Sequence, residues 1–203
     1  MLKLQQEGPR EIASRQITVA AFHDAVAQND LAEVLAGDEK CRVAAADVFA
    51  RNLGHPSIRE RCRKYLAQLF HDQSAKVRDT ASWCFRQLSD VQLSGERDLI
   101  FAFAKSPALL DGCDDLLFAL KESRAQLPDV VCGLAERALD LHAQGGDQHI
   151  KTGRAFYYLP ELVIRVYDQS GDPQTKVRCL GLIDRMLELG FDGIESELAK
   201  LER

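Results

Sequence analysis

Any chemistry in this chain must come from a scattered set of reactive side chains. The histidines are His23, His55, His71, His142 and His149. None forms an HxxxH or HExxH pair, the spacings that put two metal ligands on one helical face. Cys41, Cys62, Cys84, Cys113, Cys132 and Cys179 include no CxxC. Most fall at core-like positions, where a thiol behaves as a small hydrophobe. Asp111, Asp114 and Asp115 surround Gly112 and Cys113, and the adjacent pair Asp114-Asp115 has the chemistry to hold a cation. Acids near a helix start also simply favour the helix dipole. There is no nucleophile elbow and no GxxxxGK[ST] phosphate loop. We therefore expect no enzyme, no cofactor and no metal.

Recognition has better candidates than catalysis. With Val77 at 0° and ~100° per residue, the apolar stripe of its helix centres near ~30° and Trp83 falls near ~240°. Trp83 then either packs on a neighbouring helix or anchors a partner, a role in which aromatics are enriched. Tyr157 and Tyr158 are adjacent, so both cannot face the core of one helix. Arg59 and Arg63 belong to a basic run with Arg51, Arg61 and Lys64, opposed there only by Glu60. From Asp184 onward six acidic residues face three basic ones. Such asymmetry marks either a partner surface or a solvated helix face. Over all 203 residues the formal net charge is −5, which argues against a non-specific nucleic-acid binder.

The elements that must carry these residues read as helices throughout. Apolar positions recur at helical spacing in Glu11–Gln28, Leu31–Leu35, Lys40–Leu53, Ile58–Phe70, Asp72–Leu88, Arg97–Lys105, Pro107–Glu122, Pro128–His142, Leu159–Tyr167, Thr175–Leu189 and Ile194–Leu201. Asn29-Asp30 is expected to end the first, and Pro160 either kinks its helix or starts it. Gly145-Gly146 lies in a loop reaching about Gly153. No segment alternates like a strand, so the fold class is all-α. No N-terminal apolar run and no stretch near ~20 apolar residues is present, which points to a cytoplasmic protein with no membrane segment.

One helix recurs. Lys40-Cys41-Arg42 with Ala45 and Phe49 matches Lys76-Val77-Arg78 with Ala81 and Phe85, and Lys176-Val177-Arg178 with Gly181 matches again. Repeated helix pairs bury their stripes by stacking. The pattern Asp72-x4-Val77-Arg78-x2-Ala81 resembles the second part of a HEAT repeat. His55-Pro56-Ser57-Ile58-Arg59 with Cys62, and Asp172-Pro173 with Val177-Arg178, are further copies. The resemblance implies a right-handed α-α superhelix, a HEAT/armadillo-like solenoid of antiparallel helix pairs. It also implies bonds between repeats for Asp72 with Arg78 and for Asp172 with Arg178. Residues 1–10 are expected to fray, and 11–203 to form one repeat domain, clearest at 38–90 and 172–189 and poorest at 107–160. The run Leu159 to Gly190 also resembles the distal helical region of bacterial STAND (NACHT-like) NTPases.

The resemblance implies a non-catalytic protein-interaction scaffold or sensor that binds another protein through Trp83, Arg59, Arg63, Tyr157 or Tyr158. In its sharper form the module serves a bacterial STAND-type NTPase defence system. The alternative is a HEAT-like DNA-binding protein or alkylpurine DNA glycosylase, with Trp83, the tyrosines and the arginines lining a base-binding groove. A HEAT-like lyase or chaperone, acting on a bound chromophore or metalloenzyme, is a third reading.

Overall fold

A computed structural model describes residues 8–144, 155–191 and 193–201. Every regular element among them is helical. In order they are α1 (Pro9–Ala20), α2 (Ala25–Ala36), α3 (Glu39–Asn52), α4 (Arg59–Leu69) and α5 (Ala75–Ser82). A 3-10 turn over Trp83–Gln87 follows, then α6 (Asp90–Ser94), α7 (Arg97–Ala104), α8 (Ala108–Glu122) and α9 (Pro128–Ala143). The chain ends in α10 (Ala155–Gln169), α11 (Pro173–Glu188) and α12 (Ile194–Leu201). No described helix is long and apolar enough to cross a membrane.

Local chemistry sets many of the boundaries. The Asp38 carboxylate accepts from the Cys41 N–H at 3.0 Å and starts α3. Ser74 starts α5 in the same way through the Val77 N–H. Asp172 accepts from the Gln174 and Thr175 N–H groups, with Pro173 in the first helical position of α11. Gly190, at φ 74°, closes that helix in a conformation glycine adopts without strain. The Phe191 N–H then reaches back to the Met186 carbonyl at 2.9 Å.

Several expectations are corrected. The first helix stops at Ala20, and Asn29 and Asp30 lie inside α2 rather than before it. A tight turn over Ala21–Asp24 separates the two helices, and Arg61 of α4 takes the Ala21 and Phe22 carbonyls, at 2.9 and 2.6 Å. The helix expected to reach Leu88 tightens into the 3-10 turn after Ser82. Ser89 and Gln92 form a capping box on α6, an extra helix. Pro160 lies within α10 and is not its start. Residues 1–7 and the expected loop at 145–154 lie outside the described residues, while Pro9 and Arg10 belong to α1.

The helices stack in two rows. One row runs α1, α3, α5, α8, α10, and the other runs α4, α7, α9, α11, each helix packing on the next. The rows touch through α3 with α4, α7 with α8, and α10 with α9 and α11. Neighbours within a row run parallel, because their contacts advance together. Lys40 meets Glu11 and Arg15 meets Asp47 between α1 and α3. Arg97 meets Asp129 and Phe101 stands beside Gly133 between α7 and α9. This is repeat-like helical packing around one contiguous apolar core that extends from Ala21 to Ile194.

Cation–carboxylate steps tie each row together. The Arg42 guanidinium forks onto Asp72 at 2.8 and 3.2 Å, with both side chains about nine-tenths buried. Arg78 pairs with Asp111, Arg86 with Asp115, Lys121 with Glu161, Arg178 with Glu136 and Arg185 with Asp140. Asp72 and Arg78 each bond a row neighbour, and not each other through their side chains. The Asp72 carboxylate serves Arg42 of the preceding row neighbour, while Arg78 bonds Asp111 of the next and, closer by, the Asp72 backbone carbonyl at 2.6 Å. Asp172 caps its own helix, and its expected partner Arg178 reaches Glu136 instead.

Candidate functional site

The residues singled out for recognition are mostly engaged inside the molecule. Arg59 and Arg63 lie one turn apart on α4 and converge on Glu96, whose side chain is wholly buried. Arg63 donates two bonds to that carboxylate, at 2.6 and 3.0 Å, and Arg59 stands 3.5 Å away. Trp83 is half-buried, with the Arg51 guanidinium 5.0 Å above its ring. Arg51 in turn bonds Asp47 at 2.8 Å, beside Arg15. Tyr158 is half-buried between Phe118, with ring centres 6.4 Å apart, and the Lys121 ammonium, 4.7 Å from its ring. Tyr157 lies in α10, and its side chain falls outside the described residues.

Sequence reasoning missed Glu96. Its signal was two arginines spaced i, i+4 beside the buried stripe of Cys62 and Leu66, an arrangement that calls for a buried carboxylate.

Among the described residues, the cysteine and Asp111, Asp114 and Asp115 candidates are buried or half-buried. Burial pushes the Cys62 and Cys113 thiols up to about 12 and raises Cys84 well above its ordinary value. These groups stay protonated at neutral pH, and the thiol is not the nucleophilic form. The Cys132 and Cys179 sulfurs approach to 3.7 Å across α9 and α11. Their mutual hydrogen bond lowers Cys132 and raises Cys179. Burial raises the Asp115 carboxyl despite Arg86 beside it. Among the described residues no three metal-ligating side chains group together.

An open concavity lies between α7 and α9. It encloses about 500 Å³ and is lined by Phe101, Ala104, Lys105, Gly133, Glu136, Arg137 and Asp140. The parallel register places Phe101 beside Gly133 and Lys105 near Arg137. A Cβ at Gly133 would lie 3.3 Å from the Phe101 ring, so glycine keeps the ring edge uncovered. Glu136 is turned to Arg178 by bonds of 2.6 and 2.7 Å, which hold its carboxyl below the ordinary range. Asp140 bonds Arg185 at 2.7 Å. Lys105 and Arg137 have no carboxylate partner among the described residues.

The groove therefore offers an apolar floor with two uncommitted cations. Gly133 was its one legible signal, since a glycine inside a helix costs about 1 kcal/mol relative to alanine and asks for a reason.

In comparisons with protein-family models, with curated proteins and with solved structures, nothing matches this chain.

Proposed function

We propose that this chain is a non-catalytic helical-repeat module, a HEAT/armadillo-like superhelix that holds another protein in the groove between α7 and α9. The observation that carries this reading is the pair Lys105 and Arg137, unpaired over the apolar floor of Phe101, Ala104 and Gly133. Of the basic run singled out in the sequence, Arg51, Arg59, Arg61 and Arg63 already serve carboxylates or carbonyls within the fold, and Lys64 lies over the Tyr65 ring. The occupant is a peptide segment with one apolar side chain set on Phe101 and a carboxylate beside it for the two cations. Service as the sensor portion of a STAND-type NTPase is the sharper version, supported by the run from Leu159 to Gly190 alone. A DNA groove built on Arg59 and Arg63 is disfavoured because both guanidinium groups are turned to the buried Glu96, and Arg63 also pairs with Glu60.

A random peptide library displayed on phage tests the groove directly. Selection on the wild-type chain is expected to enrich sequences with an apolar residue flanked by Asp or Glu. The same peptides should fail to bind Gly133→Phe, which fills the groove. Equal binding to both proteins would place the docking site elsewhere.

A further inference from the structure

Two of the six cysteines meet. Cys132 of α9 and Cys179 of α11 are 1% and 0% exposed, and their sulfurs stand 3.7 Å apart. Cys41, Cys62, Cys84 and Cys113 have no second sulfur in contact. The sulfur contact is the first rung of the seam between two parallel helices. One turn along α9, Glu136 takes the Arg178 guanidinium, and a turn further Asp140 takes Arg185. The i, i+4 spacing sets Cys132, Glu136 and Asp140 on one face of α9. Two ion pairs thus hold the register that brings the sulfurs together. Among the described residues no third metal-ligating side chain joins them, which disfavours a zinc site.

We propose that Cys132 and Cys179 are a modification site for hydrogen peroxide, which joins them in a disulfide that clasps α9 to α11. A disulfide holds its sulfurs about 2 Å apart, a closure within reach of side-chain rotation from the observed contact. Cys132 is the sulfur that reacts first. The Cys179 thiol donates to it, and this bond, against burial and with the Arg178 guanidinium nearby, holds Cys132 below its ordinary range. The Cys132 thiolate attacks one peroxide oxygen and the O–O bond breaks, leaving a sulfenic acid. The departing hydroxide takes the proton that Cys132 gave up and leaves as water. The Cys179 sulfur then attacks the Cys132 sulfur, so that the S–O bond breaks and the S–S bond forms. The displaced hydroxyl leaves as a second water with the Cys179 proton. Two thiols lose two electrons, and peroxide gains them.

Burial makes the site selective. Peroxide is scarcely larger than water, whereas the bulkier thiol reductants of solution cannot reach sulfurs so enclosed. The competing reading is two thiols that only fill the core as small hydrophobes. It accounts for the burial but not for a sulfur–sulfur hydrogen bond set beside a guanidinium. Glu136, the next rung, also lines the α7–α9 concavity, so the clasp fixes that rim whatever the groove holds.

Mass spectrometry of the full, folded chain treated with hydrogen peroxide tests the clasp. The wild type is expected to lose ~2 Da, the two thiol hydrogens, and to regain them with dithiothreitol in urea. Mapping without reductant should yield one cross-linked peptide that joins Cys132 to Cys179. The oxidised chain should unfold at a higher urea concentration than the reduced chain, since the bond closes a long loop. Cys132→Ser and Cys179→Ser should each keep the helical circular dichroism and fail to lose the mass. Where a variant folds poorly, the map of the wild type decides alone. Oxygen added at Cys132 without a bond to Cys179 would overturn the proposal. So would a cross-link through another pair of cysteines, or a wild type whose Cys132 and Cys179 both stay free.

Discussion

Glu96→Ala is expected to destabilise the fold by about 3–5 kcal/mol, the range for removing one partner of a buried ion pair. The Glu96 side chain is fully enclosed, and Arg59 and Arg63 both depend on it. Alanine would leave two guanidinium groups, each about three-quarters buried, without the carboxylate that compensates their desolvation. Glu96→Gln keeps the shape and one acceptor, and is expected to cost roughly half as much. Urea denaturation followed by circular dichroism measures both. A loss below about 1 kcal/mol for Glu96→Ala would mean the cluster is an ordinary surface pair.

Gly112→Ala is expected to cost about 3 kcal/mol, near the upper end for overpacking. Gly112 interrupts α8 with φ −136° and ψ 22°, where that helix meets α5. An added Cβ would stand 1.9 Å from Ser82 Oγ and 2.5 Å from Ser82 Cβ. Rotating the hydroxyl removes the first clash but not the second, so the helices must separate. The reciprocal exchange is the check. Ser82→Gly costs about 0.5–1 kcal/mol alone by helix propensity. Combined with Gly112→Ala it should recover more stability than it removes. A double variant as unstable as the sum of the singles would contradict the close approach.

The helical character and many of the boundaries were legible because their causes are local. Pro128 opens α9, Gly190 closes α11, and α12 has the bounds its spacing implies. What was hidden depends on partners distant in sequence. The first helix breaks at Ala21 and Phe22, and Arg61, some forty residues on, satisfies the two carbonyls left exposed there. The resemblance implies bonds between repeats for Asp72 and Arg78, but not which residues they meet. In the stack the carboxylate serves the previous row neighbour and the guanidinium serves the next.

The candidate site was the least legible part. Trp83, Arg59, Arg63 and Tyr158 stand out by residue type, yet each has contacts inside the fold. Lys105 and Arg137 look ordinary as residue types. They become notable only when two parallel helices bring them to one groove and leave them unpaired.

That contrast between Trp83 and the groove sets the most direct measurement. The affinity of one selected acidic–apolar peptide is determined by titration calorimetry against the wild type, Arg137→Glu and Trp83→Ala. Arg137→Glu is expected to weaken binding by about tenfold or more, because it turns an attractive rim charge into a repulsive one. Trp83→Ala should bind as the wild type does. Full affinity in Arg137→Glu with loss in Trp83→Ala would contradict the account, and would move the docking surface from the α7–α9 groove to the face of α3 and the 3-10 turn.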